Sequence, residues 1–264
     1  MNDQGARYER LAGGRIGLRQ FRKATSAAPR LLCLPFAGGQ SLAFRQLARN
    51  LPETWGVWAI DPPGHGWAAG EPLERVDTMV EQYLTHLPFD LTEGVVLLGH
   101  SLGGCVAFAM ARRLSDMGHP PWALVLSGTR PPHRKRDYES FLSMDDHALL
   151  HTLINLGGVP TQWAEEPEIF NHFKDAIRAD FRAFESYAIV RPLDLPALAC
   201  GGMQDVVCRP EHLMEWTRYC PGCQVEFVAG DHMFIQNNAA SVAERITKFL
   251  DDLQRPQQAT PSWS

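Results

Sequence analysis

The chain has 264 residues, a hydrophobic fraction of 45%, a charged fraction of 21% and a formal net charge of −5. These values are typical of a soluble globular protein and argue against general nucleic-acid binding, which needs a basic surface. No apolar run approaches the roughly 20 residues of a membrane-spanning helix, and residues 1–14 lack the apolar core of a secretion signal. We therefore expect a cytoplasmic protein that binds neither nucleic acid nor membrane.

Apolar runs with strand character alternate with helical patterns along most of the chain. The segment RIGLRQFRK, residues 15–23, favours an edge strand. The predicted strands that follow are Arg30–Leu34, Trp55–Ile60, Val95–Leu98, Ala123–Leu126, Leu198–Cys200 and Val225–Val228. The predicted helices are Ser41–Asn50, Asp77–Leu87, Leu102–Met117, His212–Tyr219 and Ala239–Leu253. This alternation predicts an α/β fold in a single domain over residues 1–264, with a mostly parallel central sheet and helices on both faces.

The alternation is interrupted between about residues 129 and 195. Helix-like pieces such as DDHALLHTLINLGG and NHFKDAIRADFRAFESY fill this stretch. We interpret it as a helical lid inserted between two strands, and a packed helical layer without a gating role is the alternative. The tail, about residues 254–264, is predicted to be disordered.

The segment VVLLGHSLGGCVAF, residues 95–108, frames Ser101 with Gly99 and Gly103. A buried strand before the serine and a helical pattern after it predict a sharp turn, in which glycine avoids collisions with neighbouring backbone. Such a G-x-S-x-G turn exposes a nucleophilic hydroxyl at the start of a helix. Ser101 is therefore the candidate nucleophile.

A serine needs a base to remove its proton, and ten histidines are available. In a fold of this kind the order along the chain is serine, acid, histidine. His232, in VEFVAGDHMFI, follows the last predicted strand and precedes the last helix, so it is the candidate general base. His65 and His119 precede or closely follow the serine motif and break this order, and His100 lies inside the motif. The remaining histidines lie in the insertion or in predicted helices: His133, His147, His151 and His172 in the former, His86 and His212 in the latter.

The acid that orients the histidine should follow an earlier strand. Asp205 lies in the loop after Leu198–Cys200 and is the candidate. Asp231 is a weaker rival because neighbouring residues rarely direct their side chains at each other. Asp194 precedes its strand and so belongs to the opposite edge of the sheet.

A tetrahedral intermediate needs hydrogen-bond donors for its oxyanion. The backbone N–H of Leu102, next to the nucleophile, is one candidate. The second is the N–H of Phe36 or Ala37 in LPFAGG, where the sequence does not separate the two. We expect no metal site, because Cys220 and Cys223 form a C-x-x-C without a second ligand pair. That pair is predicted to lie in a solvent-facing turn.

With these motifs in place, the chain resembles the type II (external, editing) thioesterases of nonribosomal peptide and polyketide synthesis, particularly the surfactin-type members. The resemblance covers about residues 30–250 and rests on LPFAGG, DPPGHG, GHSLGG, IRADFRAFESY, GGMQDVVC and GDHMFI. It implies an α/β-hydrolase fold, a Ser101–Asp205–His232 triad and no cofactor. The implied substrates are acyl groups on the phosphopantetheine arm of acyl or peptidyl carrier proteins.

Alternative functions stay open at this point. A carboxylesterase or a fatty acyl-carrier-protein thioesterase could use the same scaffold, and a binding or receptor protein could retain the fold without chemistry. The basic run His133–Arg136 could dock an acidic carrier, or it could be a solvated charge run. We expect a monomer.

Overall fold

A computed structural model describes residues 6–25, 28–88, 94–131, 140–188 and 191–254. Within these ranges eight strands form one sheet. They are β1 (Arg7–Leu11), β2 (Ile16–Arg22), β3 (Arg30–Leu34), β4 (Gly56–Asp61), β5 (Val96–His100), β6 (Ala123–Ser127), β7 (Ala197–Gly202) and β8 (Gln224–Val228). The six strands predicted after residue 23 correspond to β3–β8.

Helices fill the connections between the strands. They are α1 (Arg45–Asn50), α2 (Val76–His86), α3 (Leu102–Asp116), α4 (Asp146–Asn155), α5 (Pro167–Ser186), α6 (Pro210–Leu213), α7 (Phe234–Asn237) and α8 (Ala239–Gln254). Two predicted helices each divide into a 3₁₀ and an α segment: Ser41–Phe44 precedes α1, and Met214–Arg218 follows α6. In the described part of the chain, no helix has the length and apolar character needed to cross a membrane.

The strand order is β1-β2-β4-β3-β5-β6-β7-β8. The pairs β1–β2 and β2–β4 are antiparallel, and all later pairs are parallel, which confirms the predicted mostly parallel sheet. His100 pairs with Ser127 and Ser127 with Cys200, so the central strands end at a common edge. The loops that follow these strands therefore meet there, which is where ligands bind in α/β sheets.

Both faces of the sheet are covered by helices, as predicted. Met79 of α2 and Phe108 of α3 belong to the buried cluster on one face. Leu47 of α1 and Phe249 of α8 belong to the cluster on the other. Each such side chain contributes about 1.5–3 kcal/mol when it is fully buried. These two clusters hold the strand ends rigidly in place.

The segment between β6 and β7 is helical and has a small core of its own. It contains α4, α5 and the 3₁₀ turns Phe141–Ser143 and Thr161–Ala164. The Phe141 and Phe181 rings stack with centroids 4.2 Å apart inside this core. Ala37, from the loop after β3, packs against it. We call residues 140–188 the helical insertion.

The edge strand, the C-x-x-C segment and two charged or terminal segments were also the subject of predictions. RIGLRQFRK forms β2, and the sequence reading missed β1, which pairs with it at the sheet edge. The prediction of a solvent-facing C-x-x-C was wrong for Cys220, which is fully buried against the core, whereas Cys223 is half-buried. The run His133–Arg136 and nearly all of the predicted disordered tail lie outside the described residues.

Candidate active site

Ser101 stands at the turn from β5 into α3 with φ 53° and ψ −117°. A side chain at positive φ costs about 1–3 kcal/mol, so neighbouring contacts must hold it. The Ser101 N–H donates to the Ser127 carbonyl at 2.9 Å, and the Thr129 hydroxyl donates to the Ser101 carbonyl at 3.0 Å. The serine is partly exposed at the sheet edge.

The glycines around Ser101 are required by close approach of the backbone. A Cβ on Gly99 would overlap the carbonyl of Gly103, the second residue of α3. A Cβ on Gly103 would overlap the carbonyl of Leu34, at the end of β3. Backbone cannot withdraw as a flexible side chain can, so both positions demand glycine.

His232 and Asp205 come together at the same edge, from the loops after β8 and β7. The His232 Nδ1 lies 2.8 Å from the Asp205 Oδ2, with the side chains 8% and 0% exposed. The Asp205 Oδ1 accepts the N–H groups of Val207 and Cys208, both at 2.8 Å. These donors fix the carboxylate, and the carboxylate in turn fixes the imidazole.

The two rival acids have other surroundings. Asp231 is exposed and its Oδ1 accepts the N–H of Met233 at 3.0 Å, which caps its own loop. Asp194 is also exposed and precedes β7. Among the three carboxylates, Asp205 is the one within hydrogen-bond distance of His232.

His100 links the serine turn to the histidine loop. Its ring centroid lies 5.2 Å from that of His232 and 5.9 Å from that of Phe36. Its Nδ1 lies 2.9 Å from the Ser127 hydroxyl. Burial first, and His232 second, lower the pKa of His100 well below its ordinary value. His100 packs between the two loops.

Two groups of backbone N–H donors lie near the serine. Leu102 is the first residue of α3, so its N–H has no intrahelical acceptor and the helix dipole favours an anion beside it. In the loop after β3, the Gly38 N–H donates to Asp180 Oδ2 and the Gly39 N–H to the Phe36 carbonyl, both at 2.8 Å. These two N–H groups are engaged, which leaves those of Phe36 and Ala37 as the candidates in this loop.

A cavity of about 630 Å³ is lined by both the helical insertion and the loop after β3. Phe36 and Gly38 line it from the core, and Val159, Trp163 and Ile177 line it from the insertion. This volume falls in the ordinary range for a small-molecule site. Its walls are mixed: the apolar side chains of Phe36, Trp163 and Ile177 could contact an acyl chain, and Gln40 and Gln236 add polar groups.

A second His–Asp pair lies beside this loop, and the sequence reading missed it. His65 was set aside because it precedes the serine, and Asp180 was not considered. The His65 Nε2 lies 2.9 Å from the Asp180 Oδ2, with the side chains 5% and 2% exposed. The available signal was the motifs themselves, since His65 is the fifth residue of DPPGHG and Asp180 lies within IRADFRAFESY. Within the described ranges, no three His, Cys, Asp or Glu side chains are arranged to hold a metal ion.

The sheet order, the strained serine turn and the buried Asp–His pair at the carboxyl edge define an α/β-hydrolase. Residues 29–250 match the thioesterase domain family, and the chain belongs to that family.

Two curated relatives align with most of this chain and with most of their own length. Thioesterase PikA5 of Streptomyces venezuelae is 30% identical over 89% of this chain and 85% of its own length. Gramicidin S biosynthesis protein GrsT of Aneurinibacillus migulanus is 27% identical over 86% of this chain and 90% of its own.

Solved structures of type II thioesterases are similar to most of this chain. The type II thioesterase BorB of the borrelidin cluster has a TM-score of 0.77 at 29% identity, covering 88% of this chain and 97% of its own. The type II thioesterase YbtT of the yersiniabactin pathway has a TM-score of 0.78 at 27% identity, covering 89% and 98%. A thermophilic esterase at 18% identity and a TM-score of 0.74 shares the fold alone.

Proposed function

We propose that this protein is a type II thioesterase that removes acyl groups from the phosphopantetheine arms of carrier proteins in nonribosomal peptide or polyketide synthesis. The single observation that carries the hydrolytic mechanism is the buried Asp205–His232 contact of 2.8 Å at the edge where the strained Ser101 turn stands. The type II thioesterases with similar structures support the assignment of substrate class.

In the proposed acylation step, His232 removes the Ser101 hydroxyl proton while the oxygen attacks the thioester carbonyl carbon. Asp205 accepts the His232 Nδ1–H, which leaves Nε2 free to take the proton. The oxyanion is bound by the N–H of Leu102 and by that of Phe36 or Ala37. When the carbon–sulfur bond breaks, His232 returns the proton to the leaving sulfur and the carrier departs as a free thiol.

Water completes the proposed cycle. His232 takes a proton from a water molecule as its oxygen attacks the acyl-Ser101 ester, and the same donors bind the second oxyanion. Collapse of that intermediate returns the proton to the serine oxygen and releases the carboxylic acid. The chain's own residues supply every group in this sequence, so the reaction needs no cofactor, and the phosphopantetheine belongs to the substrate.

We propose that the helical insertion acts as a lid and that the cavity beneath it receives the acyl group. A carrier presents this group at the end of a long arm, so contacts along the arm and carrier can align the carbonyl with Ser101. The insertion borders both the loop after β3 and the cavity, as such a channel requires. We further propose that the protein acts as a monomer in the cytoplasm.

A comparison of three substrates with one acyl group tests this proposal. We expect kcat/KM for acyl-S-carrier to exceed that for the acyl-N-acetylcysteamine thioester by about tenfold or more, equivalent to about 1.4 kcal/mol. The matching oxygen ester should be poorer than both, and acetyl carriers should be accepted. Ser101→Ala provides the control for background hydrolysis.

The order of the three substrates distinguishes the remaining candidates. An oxygen ester as the best substrate would identify a carboxylesterase. Strong discrimination against acetyl in favour of long chains on a fatty-acid carrier would identify a fatty acyl-carrier-protein thioesterase. Either result would contradict the proposed editing function.

A further inference from the structure

The buried carboxylate of Asp180 connects the helical insertion to the loop that carries the proposed oxyanion donors. Its Oδ2 accepts the Gly38 N–H at 2.8 Å, and the same oxygen lies 2.9 Å from the His65 Nε2. One turn earlier on α5, Ile177 occupies the space that a Gly38 Cβ would need, at 2.9 Å. The loop is therefore held against α5 by a hydrogen bond and by close packing.

Asp180 also lies near both segments that carry the proposed oxyanion donors. A small cavity of about 10 Å³ is lined by Asp180, Phe36, Leu102 and Gly103, among others. The loop after β3 and the start of α3 thus share one wall with this carboxylate.

A buried carboxylate at this place needs compensation, because an uncompensated negative charge would repel a developing oxyanion. His65 supplies it. Burial lowers the pKa of His65, but the Asp180 carboxylate, with smaller contributions from the Pro63 carbonyl and Asp61, raises it to a net value above the ordinary one. Both ring nitrogens of His65 lie next to an acceptor oxygen: Nδ1 is 3.0 Å from the Pro63 carbonyl and Nε2 is 2.9 Å from the Asp180 Oδ2. This arrangement favours an imidazole that donates from both nitrogens, which would offset the charge of Asp180.

We propose that Asp180 is a positioning residue for catalysis, which fixes Gly38 and with it the neighbouring N–H donors, while His65 neutralises its charge. This rests on the proposed function, since it assumes that the N–H of Phe36 or Ala37 binds the oxyanion. It follows that the oxyanion hole is complete only while α5 lies on the core, so the insertion contributes to catalysis as well as to enclosing the substrate.

The first test compares Asp180→Ala, Asp180→Asn and a control, Glu74→Gln. The control removes the exposed ion pair between Glu74 and Arg182 of α5, which is 2.8 Å long and does not involve the loop. For Asp180→Ala we expect kcat to fall by roughly 10²-fold, as when one oxyanion donor is lost, with KM changed less than about twofold. Asp180→Asn should recover about tenfold of this loss, because its amide oxygen can accept the Gly38 N–H.

An inhibitor pair separates positioning from a loss of stability. A trifluoromethyl ketone analogue of the acyl thioester forms an oxyanion adduct with Ser101, whereas the matching amide binds without one. In Asp180→Ala, the affinity for the ketone should fall by about the same factor as kcat falls. The affinity for the amide should stay nearly unchanged. Equal weakening of both inhibitors, or values equal to those of Glu74→Gln, would overturn the proposal.

If Asp180→Ala does not fold, a double-mutant cycle on His65 and Asp180 still tests the proposal. His65→Asn leaves the carboxylate uncompensated, so we expect a lower kcat and a weaker ketone. The double variant His65→Asn/Asp180→Asn no longer has the buried negative charge, so kcat and the affinity for the ketone should both recover in part. If neither recovers, the proposal is overturned. Activity retained by Ser101→Ala would instead refute the proposed nucleophile, which is a different failure.

Discussion

The substitution Asp205→Asn tests the proposed catalytic acid, and its effect can be worked out from three contacts. The Oδ1 accepts two backbone N–H groups, from Val207 and Cys208, and the Oδ2 faces the His232 Nδ1. An asparagine must place its amide oxygen on one side and its NH₂ on the other. Turning the NH₂ towards the two N–H groups would leave buried donors unsatisfied, at about 1–3 kcal/mol each.

The favoured orientation therefore points the NH₂ at His232. The Nδ1 must then accept a hydrogen bond, which moves the imidazole proton to Nε2 and blocks removal of the serine proton. We expect kcat to fall by about 10⁴-fold, equivalent to about 5.4 kcal/mol, with little change in KM.

The matched control is Asp231→Asn. The Asp231 Oδ1 accepts one N–H, from Met233, and an asparagine oxygen can do the same, so kcat should change less than about threefold. Steady-state hydrolysis of an acyl-carrier thioester measures both variants, and thermal unfolding confirms that each is folded. An Asp205→Asn enzyme with a tenth of wild-type kcat, or a larger loss at Asp231, would refute the assignment of the acid.

Three other predictions concern the serine turn and the basic run His133–Arg136. Ser101→Ala should lower thioester hydrolysis by roughly 10⁴-fold or more without changing the unfolding temperature, and a tenth of wild-type turnover would contradict a serine mechanism. Gly103→Ala should destabilise the fold by about 1–3 kcal/mol in a denaturant titration, because its Cβ would overlap the Leu34 carbonyl, and wild-type stability would contradict that contact. Charge reversal at Arg134 and Lys135 should raise KM for an acyl-carrier but not for a small thioester, and equal effects on both would exclude docking there.

Much of the candidate site could be predicted from the sequence because its parts are local. The turn at Ser101 depends on a strand, two glycines and a helix within residues 95–108, and each has its own periodicity. Parallel strands align their carboxyl ends, so the loops that carry Asp205 and His232 could be expected to meet at the same edge as Ser101.

Tertiary structure decided the features that no local pattern carries. The strand β1 was missed because its RYERL pattern is largely polar, and it is held by antiparallel pairing with β2 at the edge of the sheet. Cys220 belongs to a buried cluster of residues from distant strands and helices, although a C-x-x-C segment is by itself typical of a turn.

The contact between Asp180 and Gly38 joins residues 142 positions apart. In the sequence, Asp180 is one charged residue on a predicted helix. The helical periodicity indicates which face of the helix it lies on, but not which part of the protein packs against that face. Only the packing of the insertion against the loop after β3 buries it beside His65 and within hydrogen-bond distance of the Gly38 N–H. The sequence by itself thus determined which loops could carry the chemistry, and the tertiary structure decided which distant side chain holds one of them in place.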